Sequence, residues 1–292
     1  MHVGSLLDAA HVALTRRVQT RDGQNQAVIV AHATWTAAPP VLIAALVAAS
    51  LFSQGWLRLR RRGRADLASR GRVMLFAFGL AVSLAALVTP IDSIGEDDLL
   101  SMHMLQHVLI GDLGPALMVA GVRGALLVFL LPAPVLSAVA RSPVRTVLSA
   151  LLRPRVAFGL WAANLAIWHI PSLYDSVLTH PLLHDFEHAC WVLTGMLVWT
   201  LLLDPGSHGR LRIGGRVALA VGMFACGQVL ADVLVFTFHP LYPAYSGAYG
   251  LSAHTDQQLA GVAMMVEQLV TLGTLVFLLL RPRLRHARVA TV

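Results

Sequence analysis

Seven apolar stretches, each near the roughly 20 residues that cross a bilayer as helix, alternate with short polar segments along this chain. They run from about Trp35 to Leu57, Arg72 to Val88, Leu99 to Val122, Val156 to Leu178, Leu182 to Leu203, Leu211 to Phe238 and Asp256 to Leu280. The first is entered through Pro39-Pro40, which suits a helix start better than its middle. The second stops before Pro90. Residues 124–154 do not fit the series. Gly124 to Leu131 is apolar but short, Pro132 and Pro134 interrupt it, and Arg141, Arg145, Arg153 and Arg155 follow. A surface-lying or half-inserted helix on the cytoplasmic side suits this segment better than a further span. The pattern predicts an all-α, polytopic bundle of seven transmembrane helices in one membrane domain, residues 35–280. A polar lead-in, 1–34, precedes it and a basic cytoplasmic tail, 281–292, follows.

Composition agrees with that class. Hydrophobic residues make up 57% of the chain and charged residues only 13%, against about 25% in a soluble domain. The net charge of +7 does not point to nucleic acid, because of where the charge lies. All 22 basic residues are arginine. Segments 58–72, 123–155, 204–216 and 281–292 hold 7, 5, 3 and 4 of them, while the connections 89–98, 179–181 and 239–255 hold none. Arginine collects on the cytoplasmic side and meets anionic lipid there, so the N-terminus is expected outside and the C-terminus inside. An eighth span would put arginine-rich segments on both sides. The lead-in lacks the basic start, compact apolar core and small-residue site of a cleaved signal peptide. It reads as interfacial or disordered.

Candidate chemistry lies in the histidines, of which there are 13. His103 and His107 are four apart, as are His184 and His188, and residues so spaced share a helix face. Under the expected topology both pairs lie in the outer parts of their spans, with His169 near the outer end of a third. Histidine inside a membrane is costly unless it pairs, lines water or binds something. Two such faces meeting across a bundle would offer three or four nitrogen ligands to copper, zinc or iron. Glu187 and Asp232 are expected as auxiliary groups, Asp232 by hydrogen-bonding a ligating histidine. His180, His239 and His254 read as solvated interfacial residues. Met102 and Met104, two apart and therefore on diverging faces, read as packing. Cys190 and Cys226 read first as small buried hydrophobes and second as soft ligands; no CxxC occurs. Asp112 and Glu267 lie deeper in apolar runs. Helix-to-helix hydrogen bonding explains them as well as a proton or metal relay does.

Several motifs carry a resemblance. Met102-His103-Met104-Leu105-Gln106-His107, Trp168-His169-Ile170-Pro171-Ser172-Leu173-Tyr174 and His184-Asp185-Phe186-Glu187-His188 occur in that order. His239-Pro240-Leu241-Tyr242-Pro243-Ala244-Tyr245 and Asp256-Gln257-Gln258-Leu259-Ala260-Gly261 follow them. Together these resemble the Bacillus-type CtaG family, assembly factors for caa3-type cytochrome c oxidase. The likeness covers roughly residues 35–280. One departure is His239, where the family commonly has aspartate; it either adds a ligand or keeps a polar cap. A different, single-span copper chaperone shares the family's name, but its paired cysteines have no counterpart here.

The resemblance implies a multi-pass protein of the bacterial cytoplasmic membrane that helps mature a haem–copper oxidase. Its partners would be oxidase subunits or another copper chaperone. Copper follows from the resemblance alone, since the spacing suits zinc equally well. The expected metal site is His103, His107, His169, His184 and His188, in a factor that is not itself a catalyst. Two other readings stay open: an integral-membrane zinc-dependent hydrolase, and a b-type haem electron carrier with two axial histidines.

Overall fold

The computed structural model describes residues 33–36, 38–141, 143–207 and 209–290, with side chains as far as Arg281. His2, His11, His32 and His208, the side chain of His286, and nearly all of the lead-in lie outside the described residues. The described chain is helical, and no strand occurs among its residues. Proline within the first turn, where its missing N–H costs nothing, opens many of the helices. This holds for α1 (Pro39–Arg61), while α2 (Arg70–Val88) follows an extended Ser69. The connection after α2 is itself a short helix, α3 (Pro90–Asp97), whose first turn is capped by Thr89 Oγ1 accepting from the Ile91 amide.

The third span is one rod with an internal irregularity. It comprises α4 (Leu100–Val108), a π-helical turn (Leu109–Leu113) and α5 (Gly114–Gly121). Pro115 is the local cause. It has no N–H for the Gly111 carbonyl four residues back, and its ring crowds that oxygen, so the turn widens by a residue. The freed Gly111 carbonyl lies against Gly195 of α11 (described below).

Three short helices, α6 (Ala125–Phe129), α7 (Ala133–Val139) and α8 (Val144–Leu151), occupy the segment expected to lie at the surface. None is long enough to span. The fourth expected span is corrected in form. Rather than one helix over 156–178, it is α9 (Pro154–Trp168) and α10 (Pro171–Thr179), bent by 78°. Pro171 forces the break, because the residue before proline is pushed out of the helical region; Ile170 is extended at φ −67°, ψ 120°. At 1.5 Å per residue α9 reaches only about 22 Å, short of the roughly 30 Å hydrocarbon layer. Then come α11 (Pro181–Leu203), α12 (Ile213–Phe236) and α13 (Ala253–Ala290). Among the described residues six helices are long and apolar enough to cross a membrane, seven if the bent pair counts as one span.

The α4–α5 rod sits at the centre. It packs against α2, α3, α11 and α13, and over half of its length (56%) is buried, against 17% for α1 and for α2. Large apolar side chains such as Leu46, Met74, Phe78, Leu193, Val229 and Leu269 stay exposed on the outside of the bundle, as a lipid-facing surface requires. The arginine-rich segments gather at one end. Arg58 donates to the Leu131 carbonyl, Arg72 to that of Arg123, Arg210 to those of Ser149 and Leu152, and Arg216 pairs with Asp204 at 2.7 Å. The clustered histidines lie toward the other end of the same helices.

Glycine lets the central rod and α11 touch. A Cβ at Gly195 would fall on the Gly111 carbonyl oxygen. Alanine normally favours a helix over glycine by about 1 kcal/mol, but overpacking a tight contact costs about 1–3 kcal/mol. Gly195→Ala should therefore destabilise the detergent-purified protein, read as a lower thermal midpoint. A midpoint equal to or above the wild type's would show that this contact gives way.

Candidate metal centre

Helix geometry sets the first four rings. One turn apart on α4, His103 and His107 stand with ring centroids 4.4 Å apart, and on α11 His184 and His188 are 4.1 Å apart. The two helices turn these faces toward each other. His103 lies 5.3 Å from His184 and 6.2 Å from His188, and His107 lies 5.6 Å from His188. Donor atoms of His103, His184 and His188 all fall within 4.8 Å of one another, and so do those of His103, His107 and Glu187. The fifth expected ligand, His169, sits in the bend between α9 and α10, its ring 6.5 Å from that of His107. Without the proline break this ring would not end at a helix terminus turned inward.

Glu187 joins them. It is fully buried, one carboxylate oxygen lies 3.6 Å from His107 Nε2, and Trp191 donates to that oxygen at 3.4 Å. Asp232 does not. Its carboxylate accepts from Gln228 on its own helix at 2.6 Å, and it hydrogen-bonds none of the five imidazoles among the described residues. Nor do the interfacial histidines enter. His180 is exposed and turned back to the Ser176 carbonyl, His239 is exposed, and His254 bonds the Thr237 carbonyl at 3.0 Å.

Hydrogen bonding shows which ring nitrogens are free. The Tyr245 hydroxyl donates to the Gly95 carbonyl at 2.7 Å, so at its 2.9 Å contact with His103 Nδ1 it accepts, and the ring hydrogen sits on Nδ1. That leaves a lone pair on His103 Nε2. This atom, both nitrogens of His107, and Nε2 of His184 and of His188 are buried with no hydrogen-bond partner among the described residues. Each such group costs about 1–3 kcal/mol if nothing answers it. Five at one place do not read as packing. Imidazole nitrogens are donors that copper, zinc and iron accept, and His103 has the orienting hydrogen bond that metal-ligating histidine usually has.

The residues holding this frame stood in the motifs of the family resemblance, but nothing in the sequence placed them at the site. Tyr242 and Tyr245, from the 239–255 connection, are buried over the site, and Tyr242 donates to the His169 carbonyl at 3.1 Å. Two tyrosines three apart in a polar connection are the signal that was available. Gln106 donates to Asp92 at 2.6 Å and to the Ala86 carbonyl at 3.0 Å, tying the back of α4 to α2 and α3. Asp112 accepts from Trp199 at 3.1 Å, an interhelical bond, while neither oxygen of Glu267 has a hydrogen-bond partner among the described residues. Both acids line, with His107 and His169, a cavity of about 30 Å³, room for a water or two.

Glu96 of α3 lies 3.8 Å from His184 Nδ1. Partial burial, then the like charges of Asp92, Asp97 and Asp185, raise its carboxyl from the ordinary 4.5 to about 6. An acid raised on folding favours the native state while protonated in it. That contribution is whole below pH 4.5 and is lost as pH rises through 6. Glu96→Gln should match the wild type's thermal midpoint below pH 4.5 and exceed it above pH 6, in metal-free detergent solution. A constant difference across that range would count against the shift.

Comparison with known proteins identifies the family. Searches of curated proteins and of solved structures found no match. A model of the family described as cytochrome c oxidase caa3 assembly factor matches residues 50–286, most of the chain and every residue of the histidine cluster. The chain belongs to the caa3-type cytochrome c oxidase assembly factors, the CtaG family.

Proposed function

We propose that this protein binds copper at its histidine cluster and makes it available to a maturing haem–copper oxidase, with the histidine end facing outward and the arginine end in the cytoplasm. One observation carries the reading: five buried imidazole nitrogens without hydrogen-bond partners on two facing helices, inside an assembly factor of a copper enzyme. His103, His107, His184 and His188 would be the principal donors, with His169 beside them and Glu187 balancing charge. The arginine distribution supports the orientation. Oxidase subunits or a second copper carrier would be the partners, in the bacterial cytoplasmic membrane.

A zinc hydrolase is the competing reading, favoured by Glu187, whose second oxygen has no hydrogen-bond partner and so resembles a general base beside a metal. Against a substrate pocket on the His107 and His169 side stands the size of the cavity there, about 30 Å³. Ligand pockets run to about 300–1,000 Å³.

Elemental analysis of the detergent-purified wild type, with copper measured in oxidase from cells lacking this chain, tests the proposal. Copper in the protein and copper-poor oxidase in the deletion strain are expected. Zinc with esterase or amidase turnover, or fully copper-loaded oxidase in the deletion strain, would overturn it.

A further inference from the structure

Beside the cluster, two lone-pair atoms face each other with no proton between them. His169 Nε2 lies 3.3 Å from Met104 Sδ, and Nδ1 of the same ring lies 2.8 Å from the Leu165 carbonyl oxygen. A carbonyl only accepts, so Nδ1 carries the ring hydrogen. In the neutral ring Nε2 then has a bare lone pair, and a thioether has no hydrogen to offer. A second ring proton would satisfy the contact, but it would bury an imidazolium with no carboxylate within ion-pair distance among the described residues. That is costly in an apolar interior. A cation held by both atoms removes the conflict.

We infer that Met104 Sδ and His169 Nε2 form a soft ligand pair that selects Cu(I), an inference that rests on the copper reading above. The spacing suits it. A metal bound to nitrogen at about 2.0 Å and to sulfur at about 2.3 Å holds those donors about 3.5 Å apart at the tetrahedral angle. Both side chains are buried, Met104 at 1% exposure and His169 at 7%. Met104 lies three residues before His107, hence near its face of α4, and both line one cavity with His169. His107, with neither ring nitrogen hydrogen-bonded and its ring 6.5 Å from that of His169, is the third donor of this assignment. Thioether sulfur favours Cu(I), whereas imidazole alone takes zinc as readily. Met104 thus gives the centre a preference for the reduced ion that the histidines by themselves lack.

The test is titration of full-length protein in detergent with Cu(I) and, separately, Zn(II) against competing chelators. Wild type and Met104→Leu, a nearly volume-conserving change, are compared. Met104→Leu is expected to weaken Cu(I) about 10–100-fold and to leave Zn(II) within about threefold. X-ray absorption at the copper edge should show a sulfur neighbour in the wild type that the variant lacks. Unchanged Cu(I) affinity, a wild-type copper edge with only nitrogen and oxygen neighbours, or a sulfur neighbour that persists in the variant would overturn the inference. The wild-type spectrum decides even if the variant misfolds. A wild type that binds no metal would instead end the copper reading on which this one stands.

Discussion

Purified protein carrying both His103→Ala and His107→Ala is expected to bind metal at least about 100-fold more weakly than the wild type. Loss of a supporting outer group alone costs about 10–100-fold, and here two ligands go. His103 belongs to both groups of close donor atoms, so the change dismantles each of them. What remains is His184 and His188 on α11 and, separately, the Met104–His169 pair, two donors in each place where a stable centre takes three or four. The metal-free variant should still fold, since the change also removes three buried nitrogens that lack hydrogen-bond partners. Added metal should then stabilise the wild type by about 2.7 kcal/mol at 100 times Kd, read as a higher thermal midpoint, and leave the midpoint of the variant unmoved. Equal metal content in the two proteins would remove the site.

Asp256→Ala should be the most damaging single change outside the cluster. The carboxylate reaches from the first turn of α13 to the start of α4, where it accepts from the Leu100 amide at 2.7 Å, the Ser101 amide at 3.1 Å and the Ser101 hydroxyl. Leu99, at the N-cap of α4, offers no side-chain cap, so the helix bearing His103 and His107 is capped from 156 residues away. Hydrogen bonds to charged groups contribute about 1.5–3 kcal/mol each, and a negative charge at a helix N-terminus adds a few tenths more. Alanine should cost roughly 3 kcal/mol or more, read as the shift in unfolding midpoint in detergent. Asn, which keeps one acceptor oxygen, should lose about half of that. A wild-type midpoint for Asp256→Ala would show that water caps α4 equally well.

Much of this was legible because membrane helices announce themselves through unbroken apolar length. The long spans were readable, as were the helical starts at Pro39 and near Pro181. So was the pairing of His103 with His107 and of His184 with His188, because four residues return a helix to one face whatever surrounds it. The break at His169 was written in Ile170-Pro171, yet an apolar stretch of the right length outweighed it. Met104 was set aside because two residues turn a helix by about 200° from Met102. That argument separates the two methionines without saying which faces inward.

By itself the sequence determined the long spans, the helix starts at Pro39 and near Pro181 and the residues that share each helix face, all consequences of local geometry and hydropathy. Only the tertiary structure decided which faces meet, bringing Met104 to His169, Tyr245 to His103 and Asp256 to the start of α4, and leaving Asp232 with Gln228. The physical reason is that helices such as α12 carry apolar residues on every side, so too few polar positions record the neighbour of each side. Association then follows from close contacts between small residues, such as Gly195 on Gly111, and these depend on chain segments far apart in sequence.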